Sequence, residues 1–277
     1  MSALSRSLGL GALACALALS VASAARAGPS AQDLARVLKL DEVVGILRQE
    51  GLDYAETIED DMLGGSGGQL WRSKVEALYS AERMAAVLTE AMEDGMNTAE
   101  IAEAAAFFGT ETGQGILTFE NAARRAMAEE DVEEIARLRV EELRAAGDAR
   151  LAQVDRFMAV NDLVERNVAG ALGSNYQFFR GLADGGALDL TEGDIIADVW
   201  GQEAELRAET EGWLTAFLTM AYAPLGDDAM QSYIDFSGTE GGRALNAALF
   251  EGFDVMYRDI SYALGRMVAQ SMGGSDL

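Results

Sequence analysis

Residues 107–113 read Phe-Phe-Gly-Thr-Glu-Thr-Gly, and 129 positions further on residues 236–242 read Phe-Ser-Gly-Thr-Glu-Gly-Gly. Both stretches follow the pattern Phe-x-Gly-Thr-Glu-x-Gly, which predicts a turn between two helices. Gly109 comes after an apolar run and ends the first helix, as glycine often does at a C-terminal cap. Thr110 then begins the next helix as its N-cap, because a threonine hydroxyl can accept a backbone N–H there.

The third residue after each threonine is again a glycine, although glycine costs a helix interior about 1 kcal/mol relative to alanine. A close approach of two backbones explains it, since glycine has no Cβ in the way. A phosphate-binding loop is excluded, because no Lys-Ser/Thr follows the glycines and no apolar strand precedes them. The residues of this predicted turn motif are Phe107, Gly109, Thr110 and Gly113 in the first stretch and Phe236, Gly238, Thr239 and Gly242 in the second.

The composition predicts an all-α protein. Apolar residues make up 49% of the 277 residues, which is typical of a globular chain with a real core. The chain is rich in the helix formers Ala, Leu, Glu and Met, and it contains only two prolines. No stretch shows the sustained alternation of β-branched and aromatic residues that is typical of strands, so we expect no sheet.

An offset of 129 residues brings more than the turn into register. The residues that it pairs outside the turn are Gly64 with Gly193, Trp71 with Trp200, Glu76 with Glu205, Glu82 with Glu211 and Met127 with Met256. Self-similarity at a fixed offset is typical of repeated structural units. The sequence therefore predicts two tandem, similar helical bundles, the first over residues 28–147 and the second over residues 148–277.

Residues 1–27 are predicted to be a secretory signal peptide. Arg6 precedes an apolar run over residues 8–21, and two small-x-small cleavage sites follow, which end at Ala24 and Ala27. Cleavage after Ala27 is favoured. An uncleaved membrane anchor and a lipoprotein acylated at Cys15 are the alternatives, although the apolar run is short for a membrane span. The mature protein is thus expected in the periplasm, without a stable membrane span.

Removal of residues 1–27 deletes two arginines and no acidic residue, so the formal net charge changes from −25 to −27. Nucleic acids and anionic membrane surfaces select for clustered basic residues, and both are excluded as partners. The chain has no histidine, and its single cysteine lies in the predicted signal peptide. Catalytic triads, cysteine nucleophiles and most zinc or copper sites are therefore excluded, and the sequence predicts no cofactor.

Carboxylates are the reactive groups that remain. Residues 59–61 read Glu-Asp-Asp ahead of the glycine-rich loop 64–68, and a second acidic set surrounds a later turn, at Asp184, Asp189, Glu192 and Asp194. Neither set has the spacing of an EF-hand calcium loop. Nothing in the sequence places two carboxylates across a cleft, as glycoside hydrolysis requires. No catalytic, cofactor-binding or metal-binding residue is predicted.

Apolar periodicity predicts several long helices. One is expected over residues 69–95 and another from Thr110 to Ala146, whereas Gly51 is expected to interrupt an earlier helix. The three tryptophans are expected in the core: Trp71, Trp200 and Trp213. The charged end of the helix that reaches Ala146 is expected to be a solvated connector with a thin apolar stripe of Val132, Ile135, Leu138 and Leu143.

At the turn motif the sequence resembles a family of bacterial proteins called domain of unknown function 2059. The pattern of that family is Phe-aromatic-x-Ser/Thr-x-x-Gly-Gln-x-Leu, and residues 107–116 fit it well. The second stretch departs from it at Ser237, where the family has an aromatic residue, and at Arg243, where it has glutamine. The resemblance implies an exported helical module and no known catalytic residue.

Function is predicted only as a class. The leading hypothesis is a non-enzymatic exported protein that binds an unknown periplasmic protein or envelope component, because a duplicated helical module lacks a catalytic constellation. One alternative is an enzyme that uses paired carboxylates or calcium. The other is a carrier that holds an apolar small molecule in a cavity between the two bundles. The sequence leaves the oligomeric state open.

Overall fold

The computed structural model describes residues 28–274, and the predicted signal peptide, with both cleavage sites and Cys15, lies outside them. Within this range the chain forms thirteen α-helices and no strand, which confirms the all-α class. The helices are α1 (Ala31–Val37), α2 (Leu40–Leu63), α3 (Gly68–Leu78), α4 (Ala81–Gly95), α5 (Thr98–Phe108), α6 (Glu111–Met127), α7 (Glu130–Ala146), α8 (Ala149–Val160), α9 (Leu163–Asp184), α10 (Glu192–Gly201), α11 (Glu203–Tyr222), α12 (Asp227–Ser237) and α13 (Glu240–Gly274).

The helices fall into two runs of six, α1–α6 and α8–α13, which we call the first and second halves. Helices α5 and α12 are each 11 residues long and begin 129 positions apart, as α6 and α13 do. In each half a left-handed residue precedes the second helix, Lys39 with φ 54° and ψ 40° and Asp162 with φ 54° and ψ 39°. These are the only non-glycine residues between positions 28 and 274 with positive φ.

The two halves interlock. Helix α6 of the first half packs on α2 and on α11, and α13 of the second half packs on α9 and on α4. The sixth helix of each half therefore contacts the second helix of its own half and the fourth helix of the other. Helix α7 joins the halves and packs along α11. A buried core that draws residues from α1 to α6 and from α9, α12 and α13 crosses this boundary.

Three predicted helix bounds are wrong, and local contacts explain the two at Ser80 and Gly51. The expected helix 69–95 breaks after α3, where the Ser80 hydroxyl caps α4 by accepting the Arg83 N–H. The expected helix from Thr110 to Ala146 breaks at residues 128–129, between α6 and α7. Gly51 lies inside α2, where the Tyr79 ring leaves no room for a Cβ: its Cε1 atom would be 2.1 Å away.

The core prediction for the tryptophans fails at Trp200. Trp71 is buried, with 4% of its surface exposed, but the paired residue Trp200 is 49% exposed. The short helix α10 turns Ile195 and Val199 toward α9 and leaves the opposite face to solvent. Ile135 and Leu138 of the predicted α7 stripe are also exposed, because α7 buries Ala136 and Val140 instead.

No helix between residues 28 and 274 has both the length and the apolar character needed to cross a membrane.

Candidate functional site

The predicted turn residues lie between α5 and α6 and between α12 and α13. Thr110 is the N-cap of α6 and accepts the Gly113 N–H at 3.0 Å, and Thr239 accepts the Gly242 N–H at 3.1 Å. Gly109 closes α5 in right-handed geometry, with φ −73°, and Gly238 closes α12 in the same way. The two turns therefore share one hydrogen-bonding pattern, and neither cap is left-handed.

Glycine is required at the third residue of the helix that follows each turn. A Cβ on Gly113 would lie 2.5 Å from the carbonyl oxygen of Phe107, and a Cβ on Gly242 would lie 2.0 Å from that of Phe236. Both neighbours are backbone atoms, which cannot move aside as a flexible side chain does. The absence of a Cβ thus allows the two helices of each turn to meet at a sharp angle.

The two turns meet at the centre of the molecule. The rings of Phe107 and Phe236 stack with their centroids 4.2 Å apart and their planes inclined by 5°. Phe108 packs edge-on against Phe236, and Tyr233 packs against both phenylalanines of the first turn. The backbone N–H of Gly241, at the start of α13, donates to the Glu103 carboxylate at 2.7 Å. One aromatic cluster therefore holds both turns together.

A partly open cavity of about 320 Å³, which we call the chamber, lies beside this aromatic cluster. Helices of both halves line it: α2, α5 and α6 from the first and α8, α9, α11, α12 and α13 from the second. Its wall is mostly leucine and aromatic, and the aromatic residues are Phe108, Phe157, Trp213, Phe217, Tyr222, Tyr233, Phe236 and Phe253. Cavities of about 300–1,000 Å³ with such apolar walls are typical of small-molecule sites.

A single carboxylate, that of Glu120 on α6, lies among the chamber's lining residues. Its Oε1 atom accepts hydrogen bonds from the Tyr222 hydroxyl at 2.6 Å and from the Tyr233 hydroxyl at 3.3 Å. Phe157 packs against both tyrosine rings. No hydrogen-bond donor in residues 28–274 reaches Oε2 of this carboxylate. One oxygen therefore has two protein donors, and the other has none among the described residues.

Burial changes the protonation of this group. It raises the pKa of Glu120 from 4.5 to about 7, against the lowering effect of the hydrogen bonds from Tyr222 and Tyr233. Burial also raises the pKa of both tyrosines well above 10, and the nearby Glu120 charge adds to that rise. At neutral pH the tyrosines are therefore neutral donors, while Glu120 exchanges a proton readily.

Two asparagines add further hydrogen-bond acceptors to the chamber. The side-chain amide of Asn161 donates to the carbonyl oxygen of Phe157 at 3.0 Å, and that of Asn246 donates to the carbonyl oxygen of Asn161 at 2.9 Å. A carbonyl oxygen can only accept, so these bonds fix the orientation of both amides. Each Oδ1 is left without a donor within the described part of the chain.

A groove of about 400 Å³ between α9 and α13 adjoins the chamber and shares five lining residues with it: Arg124, Asn167, Asn246, Leu249 and Phe253. Arg124 forms two 2.8 Å hydrogen bonds with Glu50 and lies over the Trp213 ring, 5.6 Å from its centroid. Farther out, Arg166 lies over the Phe250 ring. The groove therefore forms the mouth of the chamber. Arg124, whose charge Glu50 neutralises, lies where the two join.

One residue of each predicted acidic set accepts a hydrogen bond from the backbone. Glu59 accepts the Gly68 N–H at 3.3 Å, and Asp194 accepts the Thr191 N–H at 2.9 Å in a capping box. Across residues 28–274, no three His, Cys, Asp or Glu side chains come close enough together to hold a metal ion. The chamber itself offers one carboxylate, so the paired-carboxylate and calcium hypotheses find no support in this part of the chain.

Sequence reasoning missed Glu120, although a signal was present. The buried residues Gly113, Ile116, Leu117 and Met127 mark the apolar stripe of α6. Glu120 falls on that stripe, three residues after Leu117, where a charged side chain is unexpected. A charge on a stripe that otherwise faces the core indicates either a buried ion pair or a cavity.

The chain matches no protein-family model, no curated protein and no solved structure. The resemblance at the turn motif stays a prediction, and the geometry of the chamber carries the functional argument.

Proposed function

We propose that this protein is a non-enzymatic carrier that holds a small, largely apolar molecule in the chamber between its two halves. The supporting observation is the chamber, whose wall combines many aromatic and leucine side chains with a few convergent polar groups around Glu120. Apolar walls supply affinity by burying ligand surface, at about 25 cal/mol per Å², and sparse polar groups set orientation.

Binding is favoured over catalysis because of what surrounds the carboxylate. General acid–base hydrolysis of a glycoside needs a second carboxyl group across the scissile bond, and the chamber's lining residues include none besides Glu120. Tyr222 and Tyr233 have strongly raised pKa values, so neither is a base near neutral pH. A single fixed carboxyl with neutral hydroxyl neighbours is suited to recognising a polar group on a ligand.

Export to the periplasm is part of the proposal, and it rests on residues 1–27. These residues have the charged, apolar and small-residue segments of a secretory signal. A carrier in that compartment delivers its ligand to, or collects it from, an envelope component. The N-terminus of the protein purified from the periplasm tests this step: Gly28 is expected there, and an intact residue 1 in the cytoplasm would contradict it.

The halves are proposed to be a tandem duplication. In that case the chain would contain two copies of the unit that resembles the domain of unknown function 2059. Four observations support the duplication: the 129-residue offset of α5 with α12 and of α6 with α13, the matching left-handed residues Lys39 and Asp162, and the equivalent packing of α6 on α11 and α13 on α4. The chamber would then occupy the surface along which two similar units joined.

Binding of the neutral, solvent-sensitive dye prodan tests the carrier function. Saturable binding of one dye per chain is expected, with a blue shift in its emission. Leu249 lines both the chamber and the groove, and Leu249→Trp should fill this space and weaken binding at least tenfold. The matched control is Leu206→Trp, at a half-buried leucine that packs in a cluster away from the chamber. Equal binding by both variants, or no saturable binding to the unchanged protein, would overturn the proposal.

A further inference from the structure

We propose that the natural ligand is an organic amine, whose apolar body fills the chamber and whose protonated amino group binds Glu120. This inference rests on the proposed carrier function and names the class of molecule carried. It is drawn from the polar atoms that the chamber leaves unpaired, from the rings around them and from the balance of charge at the mouth.

The unpaired polar atoms of the inner chamber are mostly acceptors. They are Oε2 of Glu120 and the side-chain oxygens of Asn161 and Asn246, whose amide groups already donate to backbone carbonyls. One unpaired donor, Nδ2 of Asn121, lies among the lining residues, and the two tyrosine hydroxyls already donate to Oε1 of Glu120. A ligand that brings hydrogen-bond donors satisfies the three acceptors, whereas a carboxylate or phosphate brings further acceptors and meets a single free donor there.

Aromatic rings form much of the chamber wall near the carboxylate. Tyr222 and Tyr233, whose hydroxyls bind Glu120, lie with their centroids 6.0 Å apart, and Phe157 lies 5.4 Å from the first and 4.6 Å from the second. An organic cation is attracted to ring faces, by about 2 kcal/mol or more where water is excluded. The aromatic wall therefore favours an ammonium group with an attached hydrocarbon over a bare metal ion, which needs several oxygen ligands.

Among the charged groups near the chamber, one negative charge has no positive partner when Glu120 is ionised. Arg124 is the cation among the lining residues, and Glu50 neutralises it through two hydrogen bonds. Glu120 faces only the neutral tyrosines Tyr222 and Tyr233 from the helices packed against it. An ionised Glu120 is thus a half-buried charge without a cationic partner, and an ammonium ligand would supply that partner.

Calorimetric titration at pH 8 with 2-naphthylmethylamine and 2-naphthylmethanol tests the inference, since the two probes share size and ring but differ in charge. The amine is expected to bind at least tenfold more tightly than the alcohol. Glu120→Gln should reduce this preference to less than threefold. Glu141→Gln is the control, because it removes an equal charge from an exposed position on α7 that has no ion pair, and it should keep the preference.

The pH dependence of the unchanged protein gives a second readout that needs no variant. The amine affinity should rise at least tenfold between pH 5.5 and pH 8 as Glu120 ionises, while the alcohol affinity should not rise with it. Equal binding of amine and alcohol, a preference for 2-naphthoate, or a preference that survives in Glu120→Gln would overturn the inference. If prodan binds and the amine preference is absent, the carrier function stands and the ligand class is wrong. If neither prodan nor any naphthyl probe binds, both proposals fall.

Discussion

Phe107 and Phe236 hold the same position in the two turn motifs, and their rings stack on each other almost in parallel, 4.2 Å apart. The stack therefore joins the first half to the second. The chamber lies beside it, so the packing of the turns and the shape of the chamber depend on each other.

The turn glycines are expected to tolerate no side chain. Gly113→Ala should lower the free energy of unfolding by about 2 kcal/mol or more, because its Cβ would press on the backbone at Phe107. Gly115→Ala is the control on the same helix, since its Cβ would lie 3.8 Å from the Phe119 ring. That change should stabilise α6 by up to about 1 kcal/mol. Urea unfolding measures both, and a neutral Gly113→Ala would refute the close approach.

The threonine caps are expected to contribute equally in both turns. Thr110→Ala removes the acceptor of the Gly113 N–H, and Thr239→Ala removes that of the Gly242 N–H. Each change should cost about 1 kcal/mol of stability. Serine keeps the hydroxyl, so Thr110→Ser and Thr239→Ser should lose less than half as much. If alanine and serine have the same effect in thermal unfolding, the hydroxyl bond is not the cause.

Glu120 should make the stability of the protein depend on pH. Its pKa is about 7 when folded and 4.5 as an ordinary side chain, so the folded state holds the proton more tightly. The stabilising contribution is therefore complete below about pH 4.5 and is lost as pH rises through about 7. Glu120→Gln stays neutral and should gain up to about 3 kcal/mol relative to the unchanged protein between pH 4.5 and pH 8. Urea unfolding of both proteins at several pH values measures the difference.

The difference in unfolding free energy between Glu120→Gln and the unchanged protein excludes the contribution of the other carboxylates. Hydrogen bonds and arginine partners lower the pKa of Glu42 and Glu165, and these groups titrate alike in both proteins. Glu141→Gln should show no pH-dependent gain. A constant difference between Glu120→Gln and the unchanged protein from pH 4.5 to pH 8 would show that folding leaves the pKa of Glu120 at its ordinary value.

The two tyrosines are expected to affect Glu120 unequally. Tyr222→Phe removes the 2.6 Å hydrogen bond and should raise the pKa of Glu120 further above 7, because that bond favours the charged form. Tyr233→Phe removes the longer bond of 3.3 Å and should have a smaller effect. Carbon-13 NMR titration of the glutamate carboxyls measures both shifts. An unchanged or lowered pKa in Tyr222→Phe would contradict the hydrogen-bond geometry.

The ion pair at the mouth of the chamber is expected to matter more than pairs on the surface. Arg124→Met breaks two hydrogen bonds to Glu50 and should cost about 1 to 2 kcal/mol. Arg139→Met is the control, since Arg139 pairs with Glu142 on an exposed face of α7, and it should cost less than about 0.5 kcal/mol. Chemical unfolding measures both, and equal costs would show that partial burial adds nothing to the Arg124 pair.

Local features of the sequence predict the local structure well. Apolar periodicity and the scarcity of proline are sufficient for the all-α class, because each helix forms its own hydrogen bonds. The breaks at Ser80 and at residues 128–129 were missed because neither is marked by glycine or proline, and the first is marked only by the serine that caps α4. Trp200 looked like Trp71 in its local pattern, yet its burial depends on a neighbouring helix that is absent on that face.

The chamber could not be predicted from the sequence, because residues far apart in the chain form it. Glu120 meets Tyr222 and Tyr233 across more than 100 residues of chain, and no spacing rule connects them. The position of Glu120 on an apolar stripe shows only that its surroundings are unusual. The pairing of α6 with α11 in three dimensions gives it tyrosine partners and a cavity.

The interlocking of the halves has a consequence for the order of folding. During synthesis the N-terminal end of the chain is made first. Helices α4 and α6 are therefore complete long before α13 and α11, which pack against them. The newly synthesised first half therefore exposes apolar surface and is prone to aggregate. Its folding is slow because the contacts that cover this surface join residues far apart in the sequence. We expect a truncated chain that stops before α8 to aggregate or to recruit a chaperone, and the full-length polypeptide to refold in a single cooperative step.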